Sequence, residues 1–179
     1  MLDIRSELIM RGTMTTIKKG DTLPSINLIT MGAEGPETIS TDDLFKGKKA
    51  VIFGVPGAFT PTCSAKHLPG YAEHAGAIKA HGVDIIACIS VNDVFVMAAW
   101  GLDQNVGDQV MMIADGSGRF AAATGLELDL VERGMGIRNK RFSMLVEDRV
   151  VVTIYVDEGA FRETSAEQML SDLIIKPEL

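Results

Sequence analysis

The sequence predicts an α/β domain, a central mixed β-sheet with helices on both faces. Three observations carry this expectation. Apolar, partly β-branched runs recur at Ala50–Val55, Val83–Val91 and Val110–Ala114, and each reads as a buried strand. Segments long enough to be helices separate them, which is the arrangement of parallel strands joined by crossovers. Late in the chain the pattern changes. Phe142–Glu147 and Val150–Val156 are separated only by Asp148 and Arg149, an antiparallel hairpin, and one more helix follows.

The elements follow in order. Residues 1–13 read as an N-terminal extension, expected to be mobile or loosely docked, and residues 14–179 as a single domain. The polar run Thr15–Asp21 suits a domain's start. Between Leu23 and Ser40, short alternating segments around Ile26–Ile29 are broken by Gly32 and Gly35-Pro36, a hairpin-like pattern. Ser40 offers a cap, and Asp42 and Asp43 an acidic first turn, for a short helix that Gly47 stops. Residues 63–81 read as a helix that Pro69-Gly70 should bend or interrupt and Gly82 ends. Asn92 or Asp93 caps the next helix, in which Val94, Met97 and Ala98 keep helical spacing. Asp115–Gly118 is a turn, and Arg119–Thr124 a short helix ended by Gly125. Residues 126–140, polar and glycine-bearing, read as a loop. Thr164–Glu167 opens a last helix that runs to about Ile175, before Pro177. This order of elements is best matched by the thioredoxin-like fold.

Composition narrows the function classes. With 179 residues, 46% of them hydrophobic, the chain can bury roughly two-thirds of the surface its unfolded form exposes. Its net charge of −7 and isoelectric point near 4.9 argue against a nucleic-acid partner or an anionic membrane surface. No stretch approaches the roughly 18 consecutive apolar residues of a membrane span. Asp3, Arg5, Glu7 and Arg11 leave the first thirteen residues without the apolar core of a signal peptide, so a cytoplasmic location is the expectation.

Only two cysteines occur, Cys63 and Cys88, too few for a disulfide scaffold or a cysteine zinc site. His67, His74 and His81 recur every seven residues, which is not a zinc pattern, so no metal is expected. Cys63 stands where a buried strand and a Pro-Gly loop give way to a helix. A thiol there faces unpaired backbone N–H groups and the positive end of the macrodipole, and both favour the thiolate. Taken singly, each neighbour has a plain structural reading. Thr60 serves as a helix cap, Arg141 as a surface arginine at a strand start, Pro56 as a strand terminator and His67 as a partly exposed histidine one turn after the thiol. Arg138, three residues before Arg141, is a competing cation. Cys63-Ser64-Ala65-Lys66 lacks the second cysteine of a dithiol oxidoreductase.

Together these residues carry a resemblance. Pro56-x-x-x-Thr60-x-x-Cys63 resembles the active-site signature of the peroxiredoxins. The longer string Pro56–Ser64 with His67-Leu68-Pro69-Gly70-Tyr71, then Ile89–Trp100 and Arg141-Phe142-Ser143-Met144, resembles the type II (peroxiredoxin-five) subfamily. The resemblance implies a thiol-specific peroxidase for hydrogen peroxide and alkyl hydroperoxides, active in antioxidant defence, with no bound cofactor and an external thiol reductant. It casts Cys63 as the nucleophile that becomes a sulfenic acid. Thr60 accepts a hydrogen bond from the peroxide and donates one to the thiolate. Arg141 is the cation, and Pro56 rigidifies and shields the loop. Backbone N–H groups of Thr62 and Cys63 complete an oxygen pocket that Phe59 and His67 help to line. Relatives form homodimers through loops around the active site, and Phe45, Phe95, Trp100 and Phe120 are interface, pocket or core aromatics.

The sequence departs from part of that subfamily. Some members carry a resolving cysteine near Gly159–Ser165, and none occurs there. Cys88 is the remaining candidate. It lies in a strand that reads as buried, so pairing with Cys63 would require local unfolding to bring the Cα atoms within about 7 Å. The core reading of Cys88 is favoured, which leaves glutathione, with or without glutaredoxin, as the expected reductant and thioredoxin as the second. The rival class is a binding or chaperone protein on the same scaffold, with Cys63 a redox sensor. Such a module would not require the Thr60–Cys63–Arg141 set.

Overall fold

The computed structural model describes residues 15–175 and bears out a thioredoxin-like α/β fold. The expected N-terminal extension lies outside the described residues. The elements are β1 (Asn27–Gly32), β2 (Gly35–Ser40), α1 (Thr41–Phe45), β3 (Lys49–Gly54), α2 (a π-turn at Cys63–His67 continuing as Leu68–Ala80), β4 (Ile85–Ser90) and α3 (Val94–Asp103). They continue with β5 (Met111–Ala114), α4 (Arg119–Thr124), β6 (Glu127–Leu130), β7 (Gly136–Asn139), β8 (Arg141–Glu147), β9 (Val150–Asp157) and α5 (Ala166–Ile175).

Seven strands form one sheet in the order β2-β1-β5-β4-β3-β8-β9. β3, β4 and β5 are parallel, while β8 runs antiparallel to β3 and β9 to β8. Side chains alternate across a strand, so β3 feeds two cores. Val51 and Phe53 face one, with Tyr71 and Ile78 of α2, Met97 and Trp100 of α3, and Met169 of α5. Ala50 and Ile52 face the other, with Phe45 of α1, Phe120 of α4, and Phe142 and Met144 of β8. Helices therefore cover both faces, and a central strand buried on each side must be apolar at every position. No helix among the described residues is long and apolar enough to cross a membrane.

The β8–β9 connection shows local chemistry overridden by context. Asp148 and Arg149 both adopt positive φ, 45° and 68°, as a two-residue turn of the primed type requires. Neither is glycine, and the strain is offset from outside the hairpin. Asp148 accepts from the Gly47 N–H at 2.7 Å, and the Arg149 guanidinium donates to Asp42 at 2.9 Å.

One expectation is corrected and one is made specific. The segment 126–140 is not a loop: β6 and β7 pair as a separate two-stranded sheet, Glu127 opposite Asn139 and Leu130 opposite Gly136. The alternation Glu127-Leu128-Asp129-Leu130 was hidden among glycines, two of which, Gly134 and Gly136, take positive φ around the turn. Pro69-Gly70, expected to bend or interrupt α2, does not end it, but the helix is irregular just before the proline, with a π-turn at Cys63–His67. The Leu68 N–H donates to the Cys63 carbonyl five residues back, a π-type bond, just before the proline. A proline removes an N–H and crowds the carbonyl four residues earlier, and the widened turn relieves that crowding. The helix then continues to Ala80.

The candidate aromatics divide. Phe45, Trp100 and Phe120 are buried, whereas Phe95 at the start of α3 is 66% exposed.

Candidate active site

The loop after β3 carries Pro56, Gly57, Phe59 and Thr60 to the start of α2. Helical geometry begins at Pro61, a residue suited to the first helical position because its fixed φ is helical and it lacks an N–H that would go unpaired there. Thr60 is the residue before it. Its carbonyl accepts from the Ser64 N–H at 3.0 Å, and its hydroxyl donates to the Gly57 carbonyl at 2.7 Å. The hydroxyl therefore does not cap the helix, as the plain reading had it. Nor does it donate to the sulfur, as the resemblance implied. Its lone pairs are what it offers an incoming donor.

Phe59 adopts φ of 61° and is 53% exposed. A bulky residue in the left-handed region costs on the order of 1 kcal/mol or more, and such strain gathers in functional loops. Thr62 is exposed and Pro56 half-buried. The loop is tied to the sheet by Asn92, whose Oδ1 accepts from the Ala58 N–H at 3.0 Å and from the Ser90 hydroxyl at 2.6 Å. From the sequence Asn92 was only a helix cap, a role that Asp93 fills by accepting from the Val96 N–H.

Cys63 is buried at the head of α2, and Arg141, first residue of β8, reaches it. Arg141 is 9% exposed, with Nη2 donating to Cys63 Sγ at 3.3 Å and Nη1 to His67 Nδ1 at 2.9 Å. The two residues are 78 positions apart in sequence. This arrangement settles the competition between cations: Arg141 holds the sulfur, and Arg138 does not.

His67 is corrected most. It is neither a partly exposed helix residue nor a pocket wall, but fully buried. Its second nitrogen, Nε2, lies 3.1 Å from the Thr164 carbonyl. An arginine can only donate and a carbonyl only accept, so His67 must be neutral, with its proton on Nε2. Burial above all, then Arg141, lowers its pKa from 6.5 to about 3. A chain of fixed polarity results, with Cys63 Sγ accepting from Arg141, Arg141 donating also to His67, and His67 donating to Thr164.

The outer end of the chain is anchored by Asp157. Its carboxylate accepts from the backbone N–H groups of Arg162, Glu163 and Thr164 and from the Thr164 hydroxyl, at 2.8 to 3.2 Å. Burial pulls the Asp157 carboxyl upward, but these donors outweigh it and leave the group below its ordinary value. The loop so held lays Phe161 against the His67 ring, centroids 5.1 Å apart, and under Arg141, 5.8 Å from the ring centre. Tyr71 donates to the same Thr164 carbonyl at 3.0 Å and stacks on Phe53 at 4.1 Å. Trp100 Nε1 donates to the Ser64 hydroxyl at 3.0 Å, bracing the turn that bears Cys63.

Cys88 sits in β4 between Phe53 and Met112, in the same core as Cys63, and both cysteines are free. Burial pushes the Cys88 thiol well above its usual range. Among the described residues no cluster of His, Cys, Asp and Glu could hold a metal ion.

Comparison with known proteins decides the family. A family model described as Redoxin matches residues 18–170. Peroxiredoxin-2B of Arabidopsis thaliana is 45% identical over 163 residues, covering 89% of this chain and 100% of the relative. The chain is a peroxiredoxin. The chloroplastic peroxiredoxin-2E of the same plant is 45% identical over 163 residues, covering 88% of this chain and 70% of that one. Reduced Prx3 of Vibrio vulnificus in complex with hydrogen peroxide superposes with a TM-score of 0.85 at 46% identity, over 88% of this chain and 99% of that one. This peroxiredoxin is accordingly a thiol peroxidase, an oxidoreductase with an antioxidant role that draws on a thiol reductant rather than a prosthetic group.

The neutral His67 gives this peroxiredoxin a testable pH dependence. Unfolded, the imidazole titrates near 6.5; folded, near 3. Between those values the unfolded chain binds the extra proton. The contribution of a neutral His67 is therefore full above pH 6.5 and is lost as pH falls toward 3, by up to about 1.4 kcal/mol per pH unit. Urea unfolding of His67→Gln, which can still accept from Arg141 and donate to Thr164, is expected to show a shallower loss of stability over that range. Equal slopes for the variant and the parent would remove His67 as the source.

Proposed function

We propose that this chain is a type II peroxiredoxin that reduces hydrogen peroxide and alkyl hydroperoxides at Cys63 and is recycled by glutathione, with or without glutaredoxin. The observation that carries the reading is the Arg141 guanidinium, held by His67 with one nitrogen and donating to Cys63 Sγ with the other. A fixed cation beside the sulfur stabilises both the thiolate and the charge that builds on the departing oxygen, and it needs no reorganisation during reaction.

The Cys63 thiolate attacks the terminal oxygen of the peroxide. The S–O bond forms as the O–O bond breaks, leaving Cys63 sulfenic acid and an alkoxide, or hydroxide, that takes a proton from solvent. The sulfur loses two electrons and the peroxide gains them. Thr60, its own proton committed to Gly57, accepts the peroxide's hydrogen bond and aligns it. The Thr62 and Cys63 N–H groups, in the first turn where no earlier carbonyl is in reach, complete the oxygen site. A glutathione thiol then attacks the sulfenic sulfur, expelling water and forming a mixed disulfide. A second thiol, from glutathione or glutaredoxin, restores Cys63.

Glutathione is preferred because Cys88 lies in a core strand with its thiol proton held by burial, unsuited to resolving Cys63. Thioredoxin is the second choice. The exposed Phe95, three residues after the Asn92 that ties down the active-site loop, supports a homodimer formed on that side of the molecule. A cytoplasmic setting, with its reduced glutathione, completes the reading. Mass spectrometry of the peroxide-treated protein after exposure to glutathione tests it. The expected product is a Cys63–glutathione adduct, and a Cys63–Cys88 disulfide in its place would overturn the choice of reductant.

A further inference from the structure

Arg138 is the cation the proposed chemistry leaves unused. It lies in β7, and its Nε donates to the Met135 carbonyl at 2.7 Å, which turns the guanidinium back toward the active-site loop. Nη1 ends 3.1 Å from the point where a side chain on Gly57 would begin. The Thr60 methyl is also 3.1 Å from that point. The guanidinium thus lies on the loop that presents Thr60, in space that exists because residue 57 has no Cβ.

Among the described residues its other nitrogens have no hydrogen-bond partner. The ion pairs among the described residues join Lys18 to Asp21, Lys49 to Glu147, Lys140 to Glu158 and Arg149 to Asp42, and none of them includes Arg138. In a chain of net charge −7, an arginine held in place outside every ion pair among the described residues is conspicuous. Arg141 contrasts with it, since its two terminal nitrogens are committed to Cys63 and His67. Half-buried, Arg138 loses less of its field to solvent screening than a surface lysine, and its planar fork matches a carboxylate.

We propose that Arg138 is a specificity-determining residue at the rim of the Cys63 site, where it binds the carboxylate of a small molecule brought to the sulfur. The proposal rests on the peroxidase reading above. Two reactants could carry that carboxylate: a hydroperoxide bearing an acid group, in the oxidising half-reaction, or glutathione, in the reducing one. A charge-assisted, two-pronged contact of this kind is expected to favour the charged reactant by about ten-fold.

The test separates the half-reactions and uses matched pairs. Single-turnover oxidation of the full chain is followed by thiol loss, or by fluorescence of its one tryptophan, Trp100, which is bonded to Ser64 beside Cys63. One arm compares a short carboxylated alkyl hydroperoxide with its methyl ester. The other reduces the oxidised protein with glutathione or with its dimethyl ester. The readout is the acid-over-ester ratio of rate constants, which a disturbed loop or fold leaves alone because it slows both members of a pair together. The expected result is a ratio that falls about ten-fold in Arg138→Gln, falls further in Arg138→Glu and is partly kept in Arg138→Lys. Collapse in the first arm identifies the acid hydroperoxide as the ligand, and collapse in the second identifies glutathione. A ratio unmoved in both arms overturns the proposal while leaving the peroxidase reading intact. Failure of the parent protein to consume hydrogen peroxide with any thiol overturns both.

Discussion

Cys63→Ser is expected to lower peroxide turnover by about a thousand-fold or more, to the level of the uncatalysed background. A serine hydroxyl in the same place is neither ionised at neutral pH nor polarisable enough to attack an O–O bond. The neighbouring residues only stabilise and align what the sulfur does. Cys88→Ser is the informative partner. Cys88 lies in β4 among Phe53, Met112 and the core they share with Cys63. A buried hydroxyl without a partner there costs about 1–3 kcal/mol of stability, and Cys88→Ala avoids that penalty. Either variant should keep most of its glutathione-supported activity, measured as peroxide consumption coupled to glutathione oxidation. Loss of activity in both Cys63 and Cys88 variants would show instead that Cys88 resolves the sulfenic acid.

Arg141→Gln is expected to lower the rate constant for Cys63 oxidation by about a hundred- to a thousand-fold, the cost of removing one preorganised donor aimed at developing charge. The amide can reach at most one of the two groups the guanidinium serves, the Cys63 sulfur and His67 Nδ1. Arg141→Lys keeps the charge but as a point on a flexible stem, unable to hold both partners at once. It should recover only part of the loss. Rapid-mixing kinetics with hydrogen peroxide read the effect directly, and thermal unfolding of the same variants controls for collapse of the site. An Arg141→Gln protein that is folded and within about three-fold of the parent rate would remove Arg141 from the proposed chemistry.

Much of the scaffold could be read from residue order. Ala50–Val55, Val83–Val91 and Val110–Ala114 announced the parallel strands because a strand buried on both faces has no room for polar alternation. The hairpin at Asp148-Arg149 was legible from spacing, although its positive-φ turn relies on Gly47 and Asp42 from elsewhere in the chain. The β6–β7 pair was missed because a short alternating run among glycines has the composition of a loop. It becomes a sheet only when its partner strand folds back on it.

The active site divides along the same line. Pro56, Thr60 and Cys63 lie within eight residues of one another, on the loop after β3 and the helix start it leads into. Local chemistry and short-range motif therefore singled them out, and the same spacing pointed to the peroxiredoxin family. Nothing local could rank Arg141 above Arg138 by contact, bury His67, or find Thr164, because each of those roles is a pairing across 70 residues or more; Asp157, whose bonds to residues 162–164 are local, matters to the site only through Thr164. His67 shows why: its proton position is dictated by an arginine 74 residues away on one side and a carbonyl 97 residues away on the other. The sequence by itself singled out Cys63 as the sulfur proposed to react. The tertiary structure decided which cation meets it and what holds that cation still, because such hydrogen bonds form between segments that only folding brings together.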